Sequence, residues 1–163
     1  MIVGCGGAGK STLARALGER LDVPVVHLDR IFWKPGWVKR PMDEFLERQR
    51  AELSKHAAWV CDGNYGRTMD YRLGQADTVV FVDRSRWLCL WRVIRRRLRQ
   101  RERPDMAAGC REQINLEFLR YVWSYNTTRR ATILKRLESA RLKGLRVYRL
   151  RTERDVRQFV EDC

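Results

Sequence analysis

Gly4-Cys5-Gly6-Gly7-Ala8-Gly9-Lys10-Ser11 matches the pattern G-x-x-x-x-G-K-[ST]. It lies between an apolar stub, Met1-Ile2-Val3, and a helical stripe of Leu13, Ala14, Leu17 and Leu21. A strand, a glycine-rich turn and a helix in that order make an anion nest. Backbone N–H groups converge, the helix adds its positive end, and glycine serves where the chain takes positive φ or touches the phosphates. The segment therefore predicts a nucleotide-phosphate site contacted by Gly4, Gly6, Gly7, Ala8, Gly9, Lys10, Ser11 and Thr12. In this pattern the lysine reaches the β- and γ-phosphates and the hydroxyl ligates Mg²⁺, which assigns those roles to Lys10 and Ser11.

Beyond the loop, strand-like and helix-like patterns alternate. Val25-Val26-His27-Leu28 reads as a second strand ending at Asp29, and Ala58-Trp59-Val60-Cys61 as a third ending at Asp62-Gly63-Asn64. Thr78-Val79-Val80-Phe81-Val82 reads as a fourth ending at Asp83, and Leu145–Leu150 as the last. Between them, Pro41 suits a helix start, and Phe45, Leu46, Gln49 and Leu53 follow at helical spacing. Trp87, Leu90, Trp91, Ile94 and Leu98 form one side of a further helix, with Arg92, Arg96, Arg99 and Arg103 on another. Pro104 to Gly109 reads as a loop, and the helix after it is expected to break around Ser124-Tyr125-Asn126. A short helix from Glu153 to about Val160 ends the pattern. Strands separated by helices imply a three-layer α/β/α fold with a five-stranded parallel sheet. In such sheets ligands sit beyond the carboxyl ends of the strands, where the loop, Asp29, Asp62 and Asp83 all fall.

The 163 residues fit a single domain. No apolar run approaches a membrane span and no secretion signal opens the chain, so a cytoplasmic protein with no membrane partner is expected. The five cysteines are scattered, which argues against a disulfide framework or a zinc site. Cys5 reads as a small side chain in the loop, although a helix N-terminus favours thiolate. His27 reads as a packed core histidine and His56 as a surface one. The net charge of +14 invites a nucleic-acid partner, bound non-specifically through phosphates. The excess is mostly arginine, and it is concentrated between Arg84 and Arg103, where Glu102 is the one acidic residue.

The loop, the Asp62-Gly63 turn and the run from Asp83 to Arg92-Val93-Ile94-Arg95-Arg96 resemble the nucleoside-monophosphate kinase pattern, in which an R-x-x-x-R pair opens the lid. More specifically, five segments resemble the bacterial adenylate-kinase-like proteins often labelled DNA topology modulation proteins. They are His27-Leu28-Asp29, Trp33-Lys34-Pro35-Gly36-Trp37, Asp62-Gly63-Asn64-Tyr65, Arg86 to Arg92 and Arg103-Pro104-Asp105-Met106. The resemblance covers nearly the whole chain. It implies a P-loop kinase fold of strand order 2-3-1-4-5, with ATP and Mg²⁺. It also implies an acceptor-binding segment at about 29–57 and an arginine-rich lid at about 92–112. Against that pattern the first strand is short, at about three residues, as a chain begun too late would be.

On this resemblance Arg92 and Arg96 are lid arginines that meet adenine and phosphates, and Asp62 holds Mg²⁺ through water or else forms the turn before Gly63. Asp83 either joins the site or caps the helix near Ser85. Asp29 is either a general base for a substrate hydroxyl or, if the acceptor is already a phosphate, a binding group. Lys10, Asp29, Arg92 and Arg96 are thus the candidate catalytic residues. Phe32, Trp33 and Trp37, beside Lys34 and Lys39, make an aromatic and basic patch suited to an acceptor ring. Asn64, Tyr65, Arg67 and Arg72 are further candidates for acceptor recognition. The function expected is transfer of the γ-phosphoryl group of Mg-ATP to a nucleotide or a hydroxyl-bearing metabolite. The alternative is an ATP-dependent nucleic-acid-binding regulator that affects DNA topology, although no helix-turn-helix, zinc finger or RNA-binding signature is visible.

Overall fold

Along the chain the elements are β1 (Ile2–Gly4), α1 (Lys10–Leu21), β2 (Val25–His27), α2 (Leu28–Phe32), β3 (Trp33–Lys34), β4 (Val38–Lys39), α3 (Met42–Ser54), β5 (Val60–Asp62), α4 (Met69–Leu73), β6 (Thr78–Val82), α5 (Arg86–Leu98), α6 (Leu116–Thr128), α7 (Arg130–Leu142), β7 (Arg146–Leu150) and α8 (Glu153–Glu161). The computed structural model describes residues 1–98, 105–110 and 116–163. Arg99, Arg103 and Pro104 of the expected lid lie outside the described residues.

The main sheet is parallel throughout, in the order β2-β5-β1-β6-β7. Counting only its five strands, this is the order 2-3-1-4-5. Right-handed crossovers then put the helix that moves leftward, α1, on one face and those that move rightward, α3 through α7, on the other. Helix α8 packs beside α1. The result is a three-layer α/β/α arrangement. Strands β3 and β4 form a separate antiparallel hairpin, with Trp33 opposite Lys39 and Lys34 opposite Val38.

Two apolar clusters hold these layers. The larger joins Ile2, Val3, Leu13, Leu17, Val79 and Phe81 to Val122, Tyr125 and Leu137 across the sheet. The smaller, with Val26, Leu28, Phe45, Leu53 and Cys61, lies under the hairpin and takes in Phe32 and Tyr65 at its edge. Helix α8 starts with a capping box in which Thr152 accepts from Asp155 N–H while the Asp155 carboxylate accepts from Thr152 N–H.

Three expectations are corrected. The second strand stops at His27, because Leu28 turns into the core and begins the short helix α2. Asp29 therefore stands in the first turn of a helix and not on a strand end. The helix expected to break at Ser124-Tyr125-Asn126 runs unbroken to Thr128, with Val122 and Tyr125 buried on its inner face; the break falls at Arg129, which leads into α7. On α5 the buried residues are Cys89 and Val93, while Trp87, Trp91, Ile94 and Leu98 are exposed. The apolar side read from the spacing is real, but most of it faces outward. The inner side lies against the glycine-rich loop, which is too close for indole rings.

Candidate active site

Strand β1 delivers the loop and α1 receives it. The backbone turns back through a hydrogen bond from Ala8 N–H to Cys5 O, and Gly9 enters the helix in the left-handed conformation with no side-chain cap. Among the described residues the N–H groups of the first turn of α1 thus have no side-chain cap, which suits a bound anion. Gly7 has φ +81, and a Cβ there would lie 2.4 Å from the carbonyl oxygen of Cys89, so only glycine fits. A Cβ on Gly6 would meet Phe118 and Val122. The loop is therefore seated on α5 and α6. Lys10 donates from Nζ to Cys5 O at 3.0 Å, folded back over the loop that it serves. Cys5 is no thiolate: the hydrogen bond with Cys89 and burial push its thiol up.

Asn64 fastens the loop from the other side. Its Oδ1 accepts from Gly4 N–H at 2.9 Å, and its Nδ2 donates to Gly4 O at 2.7 Å and to the Tyr121 hydroxyl at 2.9 Å. Strand β5 ends at Asp62, so the Asn64 carboxamide supplies the pairing that a continued strand would have given Gly4. These three bonds are all within the protein. Arg72, also expected at the acceptor, is placed in the same turn. It is fully buried and donates to Gly63 O, Asn64 O and Tyr65 O, where it satisfies the carbonyls of the turn after β5.

The neighbouring residue, Tyr65, reaches Asp29. Its phenol donates to Asp29 Oδ1 at 2.5 Å. Burial, then the Asp29 charge, push this phenol far up, so the proton stays on Tyr65. Its ring packs on Phe32 and Phe45, each at 4.8 Å between centroids. Phe32 meets Trp33 edge to face at 5.0 Å, and Trp33 meets Trp37 at 5.3 Å. The three aromatics of the expected patch are thus one contiguous row. Phe32 belongs to the smaller core, and Trp33 and Trp37 sit on the half-buried hairpin. Gly109 packs against Pro35, and the Cys110 thiol lies 3.3 Å from Lys34 O, so segment 105–110 rests on that hairpin. Arg67 is exposed in the turn beyond Tyr65.

Asp62 is buried, and its Oδ1 lies 2.6 Å from His27 Nδ1, its register partner across β2 and β5. His27 is packed as expected, but it also orients the carboxylate assigned to Mg²⁺. Sequence reasoning missed that pairing. The signal was present, since both residues close adjacent parallel strands. Ser11 is half-buried and Thr12 exposed at the mouth of the loop. Arg92 reaches the loop, donating to Ala8 O at 3.3 Å and pairing with Glu153, which Arg84 also contacts at 3.2 Å. The Arg92 hydrogen bond, working against burial, holds the Glu153 carboxyl below its usual range. Arg96 follows one turn later, half-buried.

Asp83 caps no helix. Ser85 accepts the Leu88 N–H at 3.3 Å, while the Asp83 carboxylate takes Nε of Arg130 at 2.9 Å and Nε of Arg149 at 2.7 Å. These side chains, with Arg84 and Arg151, line a shallow polar depression of about 430 Å³ that no loop residue borders. Asp83 thereby ties β6 to β7 and to the start of α7.

The donors assembled around the loop, an ammonium, a hydroxyl, uncapped N–H groups and the Arg92 guanidinium, fit a nucleoside triphosphate. The Ser11 hydroxyl and Asp62 carboxylate are oxygen donors of the kind that Mg²⁺ takes. No protein-family model and no curated protein matches the chain. Among solved structures it is similar to shikimate kinase from Bacteroides thetaiotaomicron, at 17% identity and a TM-score of 0.48, over 99% of this chain and 92% of that one.

Proposed function

We propose that the protein is an ATP-dependent phosphotransferase whose acceptor is a small molecule that presents a hydroxyl group. The observation that carries this reading is the Asp29 carboxylate, held by the Tyr65 phenol at 2.5 Å on the acceptor side. Tyr65 adjoins Asn64, which clasps Gly4, so one short chain of contacts links the carboxylate to the phosphate loop. A nucleoside monophosphate would need cations for its phosphate, but two arginines on that side, Arg72 and Arg40, are engaged within the protein. Arg72 serves backbone carbonyls, and Arg40 bonds Ile31 O at 2.6 Å and Glu44 at 2.6 Å. A carboxylate beside an aromatic row suits a hydroxyl acceptor better than an anion.

In this mechanism Lys10, the loop N–H groups and Arg92 bind and orient the phosphates. Ser11 and Asp62 would hold Mg²⁺, which would supply neutralisation of the phosphate charge. Asp29 takes the proton of the acceptor hydroxyl as its oxygen bonds to the γ-phosphorus and the bond to the ADP oxygen breaks. Tyr65 keeps its own proton and fixes the carboxylate. Trp33 and Trp37 bind the body of the acceptor, and Arg67 and Arg96 lie at the margins. The acceptor segment at about 29–57 and the lid at about 92–112 are parts of the single domain.

The test is an ADP-release screen against nucleoside monophosphates, sugars, shikimate-like alcohols and aminoglycosides. Hydroxyl acceptors are expected to release ADP. Asp29→Asn should then lower kcat by about 10²- to 10⁴-fold with ATP affinity retained. Turnover confined to nucleoside monophosphates, with kcat unchanged in Asp29→Asn, would overturn the reading.

A further inference from the structure

The outer face of α5 and α6 carries large apolar side chains far from any core. Trp87 is 65% exposed, Trp91 53%, Leu98 76% and Leu116 70%, and Ile94 and Trp123 are each 39% exposed. Trp87 and Trp123 meet edge to face with centroids 4.7 Å apart, which joins the two helices into one surface about three turns long. Contiguous exposed apolar surface of this kind marks an interaction site.

Its charges select among partners. The Arg86 guanidinium lies 4.6 Å from the Trp123 ring and that of Arg95 4.9 Å from the Trp91 ring. Helix α5 has no acidic residue, and α6 has Glu117 alone. A second copy would bring arginine against arginine across a two-fold, between chains that each carry +14. Single-stranded nucleic acid would satisfy the charge but needs open ring faces for its bases. One face of Trp91 and one of Trp123 are already covered by guanidinium groups, and Ile94, Leu98 and Leu116 have no ring to offer. An anionic bilayer matches every part: indoles at the headgroup level, aliphatic side chains toward the hydrocarbon, arginines on lipid phosphates.

We propose that the Trp87–Trp91–Trp123 face of α5 and α6 docks on an anionic phospholipid surface, while the opposite side of α5, with Cys89, Val93 and Arg92, seats the phosphate loop. No described helix is long and apolar enough to cross a membrane, and the contact inferred is peripheral.

The experiment is sedimentation of the full chain with vesicles of phosphatidylcholine alone or mixed with phosphatidylglycerol, read together with tryptophan emission. Binding is expected only with phosphatidylglycerol, weakening with salt, with a blue shift and quenching by brominated acyl chains. The double substitution Trp87→Ser, Trp91→Ser should reduce partitioning at least about tenfold, and Arg95→Gln about fivefold, with ATP affinity and circular dichroism unchanged. Absence of binding to the mixed vesicles overturns the proposal. So does binding without brominated-lipid quenching of the unaltered protein, which needs no variant to fold. A dimer in light scattering that the double substitution dissociates, or oligonucleotide binding that it removes in a protein indifferent to vesicles, assigns the face to another partner and overturns it equally.

Discussion

Replacing Asn64 with alanine tests whether a side chain can stand in for a missing stretch of strand. The carboxamide makes three hydrogen bonds of 2.9, 2.7 and 2.9 Å, two of them to the N–H and C=O of buried Gly4. Truncation leaves both backbone groups without a protein partner, and a buried polar group so stranded costs about 1–3 kcal/mol. The pairs lie near the loop mouth, where water reaches in part, so the lower half of the doubled range applies, about 2–4 kcal/mol. For a domain of this size that lowers Tm by about 4–16 °C. Because Gly4 opens the phosphate loop, ATP affinity should fall with it, whereas Asn64→Gln, which keeps the amide on a longer stem, should recover part of each. Thermal melts and calorimetry with ATP read both effects. A melting point within about 2 °C of the unaltered protein, with unchanged ATP affinity, would show that the clasp carries no weight in the fold or the loop.

Other substitutions probe the remaining supports of the site. Gly7→Ala places a Cβ 2.4 Å from the Cys89 carbonyl at φ +81, and should cost about 1–3 kcal/mol in urea midpoints and weaken ATP binding, since the loop must leave α5 to accommodate it. Burial pushes the Asp83 carboxyl up, but the hydrogen bonds from Arg130 and Arg149 outweigh it and hold the group below the ordinary carboxylate range. Its stabilisation is therefore complete above the unfolded value near pH 4 and is lost as pH falls through the lower native one. Asp83→Asn should flatten that acid limb in urea midpoints measured between about pH 2 and 7, and an unchanged limb would contradict the ion-pair account. Arg92→Ala removes the guanidinium at Ala8 and should slow phosphoryl transfer by about 10³-fold. Intact transfer with loss of DNA binding would favour the nucleic-acid reading of α5.

Much of the frame is legible in the residues because its causes are local. The loop pattern, the apolar run Thr78–Val82 and the short helix from Glu153 each specify their own geometry. The face of α5 was not legible, since periodicity gives the direction of an apolar stripe and not what lies opposite it. The glycine-rich loop approaches the Cys89 carbonyl so closely that only small side chains fit between, and the larger tryptophans are excluded to the outside. The structural bonds of Arg72 and Asn64 were not legible for a related reason. A polar residue in a turn looks available until the three carbonyls or the Gly4 peptide that consume it are seen in space. The His27 to Asp62 pair depends on the β2 and β5 register, which pairs those two residues and which no single strand encodes.

The same distinction governs the charge. A net +14 suggests a polyanion partner only so far as the arginines are available to one, and several are engaged within the protein. Arg72 and Arg84 are buried under backbone carbonyls, and Arg130 and Arg149 share Asp83. Each of these holds together elements that meet at the carboxyl ends of the strands, where a parallel sheet concentrates loops and leaves carbonyls unpaired. Arginine suits that work because its planar fork spans two acceptors at once and keeps its charge when buried. Part of the basic excess is thus structural cement around the site. What remains outward on α5 is combined with indole and aliphatic side chains, a mixture that bulk electrostatics alone would not select.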